Sequence, residues 1–166
     1  MKKLLILYCM MQTLVIQAQV NYPKTLDKNG MKVSWYYENN EIHFTIEAPT
    51  TGWLAIGLHK EKSLKNATLY MGRIKNNRGE LSEHFTFSLG NYKSHQELNF
   101  ESQLKLISSN ETKTNSKLHF TVPIKAYNEY HKDLHKGQQY YMTLAFSRDD
   151  DYQHHSMMRT SIKIKL

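Results

Sequence analysis

The sequence predicts an all-β protein, an antiparallel β-sandwich of about nine strands of the immunoglobulin-like type. Short apolar runs that alternate with polar residues at a period of two indicate strands. Turn-forming pairs such as Asn29-Gly30 separate these runs. The 11 Tyr and 6 Phe residues also favour strands, because flat rings pack well on a pleated surface. A length of 166 residues, with 40% hydrophobic and 22% charged residues, corresponds to one globular domain.

The first eighteen residues have the pattern of a secretory signal peptide. Lys2 and Lys3 provide a cationic start, an apolar stretch covers 4–16, and Ala18 offers a small residue for cleavage before Gln19. The alternative, a membrane anchor, is disfavoured because a spanning helix needs about 20 apolar residues. We therefore expect residues 1–18 to be removed. The mature protein is then secreted, or lies in the periplasm or cell envelope, without a stable membrane span.

Removal of this segment changes both the charge and the thiol content. The chain has 22 basic and 15 acidic residues, a net charge of +7, and the loss of Lys2 and Lys3 leaves 20 against 15, or +5. Cys9 is the single cysteine and lies in the same segment. A metal or haem iron must then be held by His, Met, Lys, Tyr or carboxylate side chains. The basic residues form no cluster interleaved with aromatic ones, so we expect no nucleic-acid partner.

The first half of the domain, placed at 31–166 after a polar lead-in over 19–30, predicts five strands. The second of them alternates most regularly, with Ile42, Phe44 and Ile46 on one face. The third is apolar on both faces, as expected of a central strand. Asn-rich turn signals separate neighbouring strands. The five strands are predicted over 31–37, 41–48, 52–59, 67–74 and 81–88.

The second half predicts four more strands in the same style. Leu118, Phe120 and Val122 alternate with polar residues after an Asn-, Thr- and Ser-rich loop over 109–116. Residues 126–136 are expected to hold a short helical turn that ends near Gly137. The four strands are predicted over 104–108, 118–124, 140–147 and 158–166.

The run Gly52-Trp53-Leu54-Ala55-Ile56-Gly57 resembles the Gly-Trp-x-x-x-Gly motif of the DOMON domain family. This family includes the sandwich domains of dopamine β-monooxygenase-like proteins and the cytochrome domain of cellobiose dehydrogenase. The resemblance covers roughly residues 31–166 and is typical of a stand-alone secreted member. The other positions that match, in the family's order, are Trp35, Phe44, the segment Ser63 to Thr68, Gly72, Leu144-Ala145-Phe146, His154-His155 and Arg159.

The resemblance implies a module that binds a small molecule, haem b or a sugar, and that exchanges electrons with a redox partner protein if it holds haem. In haem-binding members a Met and a His ligate the iron inside the sandwich, and the His position corresponds to His154 or His155. The family's Met position is Leu64 here, and an aliphatic side chain donates no lone pair to iron. Met71 is the substitute we select, with Met157 and Met158 as further candidates.

The orientation of the two adjacent histidines stays open in the sequence. Alternation extended backwards from the last strand places His154 on the apolar side and His155 towards solvent, and a bulge would reverse this order. The family pattern favours His155. Asp149, Asp150 and Asp151 precede the pair and could bind Ca²⁺ or orient an imidazole. A solvated turn is the simpler interpretation, because three adjacent residues cannot all point at one ion.

Other chemistry-bearing residues have structural interpretations. His131 and His135 would share a helical face and could hold a metal, but a surface turn fits better because no H-E-x-x-H motif is present. Trp35 and Trp53 are expected in the core. No nucleophile–base pair, phosphate loop or carboxylate dyad is evident, so we predict no enzyme, with a metal-dependent one as a remote alternative. Carbohydrate or cell-surface binding is the main alternative to haem, through exposed members of the set Tyr36, Tyr37, Tyr127, Tyr130, Tyr140 and Tyr141.

Overall fold

The computed structural model describes residues 23–166, and the predicted signal peptide and Cys9 lie outside these described residues. The described chain forms eleven strands and no helix, which confirms the predicted all-β class. The strands are β1 (Lys24–Lys28), β2 (Met31–Glu38), β3 (Glu41–Ala48), β4 (Leu54–His59), β5 (Thr68–Lys75), β6 (Arg78–Ser88), β7 (Asn91–Ser94), β8 (Lys105–Glu111), β9 (Ser116–Pro123), β10 (Gln139–Phe146) and β11 (Met158–Lys165).

The strands pair into two antiparallel sheets. A five-stranded sheet has the order β1-β2-β3-β9-β8, and a six-stranded sheet has the order β11-β10-β4-β5-β6-β7. All nine predicted strands are present. The two additional ones, β1 and β7, lie at sheet edges, and they contain too few apolar residues to show alternation. Strand β1 falls within the predicted lead-in and is held by its register with β2, in which Leu26 lies opposite Val33.

The helical turn predicted within 126–136 does not form. Side chains cap a series of turns there instead. The Asn128 carboxamide oxygen accepts hydrogen bonds from the backbone N–H groups of Tyr130 and His131, at 2.9 and 2.8 Å. The Asp133 carboxylate accepts one from the N–H of Ala126 at 2.8 Å. These local bonds compete with helix formation because they satisfy backbone donors without a helical carbonyl.

Apolar side chains from both sheets fill the space between them. On β3, Ile42, Phe44 and Ile46 are fully buried, which confirms the alternation predicted for that strand. Trp35 also packs in this core, as expected. The burial of one such side chain contributes roughly 1.5–3 kcal/mol to folding. The principal partners from the six-stranded sheet are Leu54, Ile56, Leu58, Tyr70, Met142 and Leu144.

Strand β4 is buried on both faces, as predicted for a central strand. It lies between β10 and β5, and its even-numbered residues face the core. Its odd-numbered residues lie on the outer face of the six-stranded sheet, together with a second apolar cluster. That cluster consists of Trp53, Ala55, Met71 and Ala145, with Leu69, Tyr92 and Tyr152 packed against it.

Candidate ligand-binding site on the outer sheet face

A cavity of about 180 Å³ opens on this outer face, and we call it the outer-face cavity. Three strands of the six-stranded sheet provide its floor, and the loop between β10 and β11, residues 147–157, provides one wall. Its lining residues are Trp53, Ala55, Gly57, Leu64, Leu69, Met71, Thr86, Gly90, Tyr92, Thr143, Ala145, Gln153, His154, His155, Ser156 and Arg159. This cavity lies outside the sandwich. Apolar side chains fill the space between the sheets, where the resemblance implied a ligand.

Small residues make the floor of the cavity flat. Ala55 lies opposite Ala145 in the register of β4 with β10, and Gly57 lies opposite Thr143. A Cβ atom added at Gly57 would approach the Leu69 side chain to 2.7 Å, so that position has no room for a larger residue. A shallow apolar floor of this kind accommodates a flat apolar group.

The first glycine of the Gly52–Gly57 motif positions the wall. A Cβ atom added at Gly52 would approach the backbone of Ser147, Arg148 and Asp149 to about 2.6 Å. This close approach permits the backbone bonds from Trp53 N–H to the Asp149 carbonyl (3.1 Å) and from Ser147 N–H to the Trp53 carbonyl (2.9 Å). The motif thus fixes where the 147–157 loop leaves the sheet.

Side chains from two strands hold the far part of the same loop, and one further bond forms within the loop. The Arg73 guanidinium donates to the Asp150 carbonyl at 2.7 Å and lies 4.7 Å from the centre of the Tyr152 ring. The Tyr92 hydroxyl donates to the Tyr152 carbonyl at 2.6 Å. The Ser147 hydroxyl donates to the His155 carbonyl at 3.1 Å. The loop is therefore tied to β5 and β7, and the Ser147–His155 bond connects its two ends.

Both predicted histidines are on this loop and line the cavity. His154 and His155 are exposed, and His154 Nε2 lies 3.4 Å from the Asp149 carboxylate. The expected division, with one histidine inside and one outside, is wrong because β11 begins only at Met158 and its alternation does not extend to them. Asp149 therefore faces the His154 imidazole, which is one of the two roles that the sequence suggested for the three aspartates. Within residues 23–166, no group of three or more His, Asp or Glu side chains is arranged to hold a metal ion.

Met71 and Leu64 both line the outer-face cavity. Met71 rises from the outer face of β5 and is 3% exposed, and Leu64 reaches the cavity from the loop between β4 and β5. Met157 is largely exposed and Met158 packs against the core between the sheets. The structure therefore brings Met71 together with His154 and His155, while their role as ligands stays a prediction.

The donors and walls of the cavity fit a haem group chemically. A thioether and an imidazole are the axial pair of many cytochromes, and both are neutral donors that suit haem iron. The small residues Ala55 and Ala145 keep this part of the floor shallow. Exposed Arg159 at the rim supplies a positive charge for carboxylate groups.

His84 lies behind the cavity wall and was missed in the sequence. It is on the outer face of β6, opposite Leu69, and is 4% exposed. The rings of Tyr92 and Tyr152 contact it edge-on, with centroids at 5.5 and 5.9 Å. Burial lowers the pKa of His84 to about 4, so the ring is neutral at neutral pH. Neither ring nitrogen has a hydrogen-bond partner among the residues described.

A buried carboxylate on the opposite face of the same strand was also missed. Glu83 Oε2 lies 3.2 Å from His95 Nδ1 and accepts hydrogen bonds from the hydroxyls of Ser102 (2.9 Å) and Tyr127. Burial alone would raise the pKa of Glu83, but the hydrogen bonds from His95 and Tyr127 outweigh burial and leave it below its ordinary value. The ionised carboxylate on β6 thus holds two loops, the one between β7 and β8 and the one between β9 and β10.

The remaining candidates separate into buried and exposed groups. His131 is 2% exposed, with its Nε2 3.4 Å from the Tyr70 hydroxyl, so its prediction as a surface residue is wrong. His135 is exposed, as a surface turn requires. Trp53 is buried at the edge of the cavity. Of the tyrosines proposed for sugar stacking, Tyr140 is buried, and Tyr36, Tyr37, Tyr127, Tyr130 and Tyr141 are half-buried.

The fold and the cavity define a β-sandwich domain with an apolar-floored depression on the outer face of its six-stranded sheet. A sequence model of the DOMON domain family matches residues 27–147. The chain belongs to the DOMON domain family, as its motifs indicated. A search of curated proteins gave no match. No helix formed by residues 23–166 has the length and apolar character that crossing a membrane requires.

Two solved cytochrome domains share the fold. The cytochrome b domain of pyranose dehydrogenase from Coprinopsis cinerea superposes with a TM-score of 0.64 at 11% identity, covering 85% of this chain and 80% of that one. The cytochrome domain of Myriococcum thermophilum cellobiose dehydrogenase gives a TM-score of 0.63 at 12% identity, covering 87% of this chain and 81% of that one. These similarities establish the architecture of the sandwich.

Proposed function

We propose that this protein is an exported, non-catalytic module that binds haem b in the outer-face cavity and exchanges electrons with a redox partner protein. The observation that carries the proposal is the meeting of Met71, His154 and His155 around one apolar-floored cavity. The fold shared with two cytochrome domains adds support. Export rests on the signal-peptide pattern of residues 1–18.

Each cavity residue has a distinct role in this proposal. Met71 offers its thioether from the floor, and His154 or His155 offers an imidazole from the 147–157 loop. Asp149 orients the His154 ring through its 3.4 Å contact with Nε2. Arg159 pairs with the carboxylates of the ligand. The bound haem supplies an iron that changes between two oxidation states.

The size of the cavity requires the loop to adapt. A volume of about 180 Å³ is below the roughly 300–1,000 Å³ of typical ligand pockets. The His154 side chain is 59% exposed, so the wall can move outwards without breaking core contacts. Arg73 and Tyr92 hold the loop at Asp150 and Tyr152, so residues 153–156 make the adjustment, and the bond from the Ser147 hydroxyl to the His155 carbonyl is released.

A haemin titration followed by visible absorption tests the proposal. The wild-type protein is expected to bind one equivalent and to shift the Soret band. A His154→Ala, His155→Ala double variant is expected to lose that shift. His135→Ala is the matched control, because His135 is an exposed histidine outside the cavity lining, and it is expected to bind as the wild type does. A wild-type protein that binds haemin in neither oxidation state would contradict the proposal.

Carbohydrate binding is the second candidate, and the aromatic residues in the cavity favour it. Trp53 and Tyr92 line the same space as the polar side chains of Thr86, Thr143 and Gln153. Aromatic faces combined with hydroxyl and amide groups suit a sugar ring. Retention on a polysaccharide column that is lost in Tyr92→Ala, in protein that takes up no haemin, would favour this candidate.

A further inference from the structure

Two histidines lie side by side on the outer face of the other sheet. His43 is on β3 and His119 is on β9, and their diagonal placement follows from the pairs His43 with Thr121 and Thr45 with His119. His43 Nδ1 and His119 Nε2 are 3.3 Å apart, and the ring centroids are 5.5 Å apart. Both strands lie inside the five-stranded sheet and pair with a neighbour on each side. The backbone that carries the two rings is therefore rigid.

The distance between these nitrogens suits two ligands of one metal ion. Imidazole nitrogens bind Zn²⁺ at about 2.0–2.1 Å, so two ligands at a tetrahedral angle are about 3.4 Å apart. The observed 3.3 Å separation is close to this value. In the absence of metal one ring donates a hydrogen bond to the other, and a modest rotation of each imidazole directs both lone pairs at a shared ion.

The surroundings of His43 hold its ring in place for such a role. Its second nitrogen, Nε2, lies 3.5 Å from the Glu38 carboxylate. A carboxylate behind a ligating imidazole fixes the ring orientation and raises its basicity. Tyr36 lies opposite His43 in the register of β2 with β3, and its ring stacks on that of His43, with centroids 4.6 Å apart and planes 15° apart.

We infer that His43 and His119 bind one divalent ion of a late first-row transition metal, with water in the remaining coordination positions. Imidazole donors select Cu²⁺, Ni²⁺ and Zn²⁺ over Ca²⁺ and Mg²⁺, which require oxygen ligands. Cu²⁺ is expected to bind most tightly, in agreement with the general order of affinities. The two protein donors leave the ion open to solvent, since residues 23–166 contain no group of three or more metal-binding side chains.

This site is independent of the outer-face cavity. His43 and His119 are on the five-stranded sheet, whereas the cavity lies on the far face of the six-stranded one. Metal binding by these histidines therefore stands or falls separately from haem binding. His154 and His155 are the main competitors for added metal, because both are exposed.

Isothermal titration of haem-free protein with CuCl₂ and ZnCl₂ tests the inference. His119→Gln is expected to weaken Cu²⁺ binding at least tenfold, and the His154→Ala, His155→Ala double variant is expected to leave it unchanged. Glu38→Gln is expected to weaken it about tenfold, since it keeps both ligands and removes only the orienting charge. Circular dichroism of each metal-free variant checks that it is folded.

Electron paramagnetic resonance of the wild type with less than one equivalent of Cu²⁺ gives a result that does not depend on variants. Hyperfine coupling from two imidazole nitrogens is expected. Coupling from fewer than two nitrogens overturns the inference. So does Cu²⁺ binding that is kept in a folded His119→Gln variant and lost in the His154→Ala, His155→Ala variant.

Discussion

Leu64 and Met71 line the same cavity, Leu64 from the loop between β4 and β5 and Met71 from the outer face of β5. The resemblance to the family's motifs implies that Leu64 stands where haem-binding members carry their methionine ligand. Met71 offers a thioether at the same cavity from β5. Substitutions at these two positions therefore test which of them provides a thioether ligand to a bound haem.

Substitution of Leu64 by Met is expected to increase haemin affinity severalfold. The change adds a thioether at the cavity and nearly conserves side-chain volume, so it costs less than about 1.5 kcal/mol in stability. Haemin titration measures the effect. Leu106→Met, on edge strand β8 of the other sheet, is the matched control and should leave the affinity unchanged. An affinity that rises equally in both variants would show that the effect is unspecific.

Replacement of Arg73 by Leu is expected to weaken ligand binding about threefold to tenfold by releasing the 147–157 loop. The substitution removes the hydrogen bond to Asp150 and the contact with the Tyr152 ring, each worth about 1 kcal/mol. Hydrogen exchange of residues 149–156 measures the loop directly. Arg78→Leu, at the exposed start of β6, serves as control. Unchanged exchange in the Arg73 variant would show that the loop does not depend on this residue.

His84 is expected to make the protein less stable in mild acid. Its pKa is about 4 in the folded state against an ordinary value of 6.5. Below pH 6.5 the unfolded chain takes up a proton that the folded chain does not, so the free energy of unfolding falls as the pH falls towards 4. Over this pH range the free energy of unfolding is expected to fall by about 3 kcal/mol because of His84.

Urea denaturation at several pH values between 7.5 and 4 measures this effect. His84→Phe keeps a ring in contact with Tyr92 and Tyr152 and cannot titrate, so its stability should depend less on pH than that of the wild type. His135→Phe, which changes an exposed histidine, should keep the wild-type dependence. Equal pH dependence in wild type and His84→Phe would mean that the pKa of His84 is the same in the folded and the unfolded chain.

Glu83→Gln is expected to lower the free energy of unfolding by about 2 kcal/mol at neutral pH. The ionised carboxylate accepts hydrogen bonds from Ser102 and Tyr127 and pairs with His95, and a neutral amide accepts these more weakly. Because the folded pKa is lowered, the wild-type contribution is present above the unfolded pKa and is lost as the pH falls through the folded pKa. Chemical denaturation measures both effects.

A surface glutamate provides the control for this substitution. Glu47 lies 3.8 Å from Lys117 at the protein surface, and an exposed pair of this kind contributes at most about 1 kcal/mol. Glu47→Gln should therefore change stability little. A Glu83→Gln variant as stable as Glu47→Gln would show that the buried carboxylate does not hold the two loops.

Elements with regular alternation could be predicted from the sequence, and edge elements could not. Ile42, Phe44 and Ile46 pack in the core as their spacing requires. The run from Leu54 to His59 revealed a strand buried on both faces. Burial of its outer face also implied that something covers the sheet on that side, and the outer-face cavity lies there. Strand β7 has no apolar pattern and depends on pairing with β6.

The site was only partly predictable because it depends on the geometry of one loop. Met71, His154 and His155 were selected from type and position, and the structure places all three at one cavity. The orientation of the two histidines follows from the turns before Met158, which strand periodicity does not describe. Glu83 and His84 are adjacent polar residues in an otherwise strand-like run. Their burial on opposite faces depends on partners distant in sequence, such as His95 and Tyr152.

The near-infrared spectrum of the ferric haem complex tests the pairing of Met71 with a histidine most directly. Sulfur-to-iron charge transfer gives a band there only when a thioether ligates the iron. We expect this band in the wild type and in Met158→Leu, because the Met158 side chain packs against the core instead of the cavity. We expect Met71→Leu to lose the band. A wild-type complex without the band, or a Met71→Leu complex that retains it, would show that Met71 does not ligate the iron.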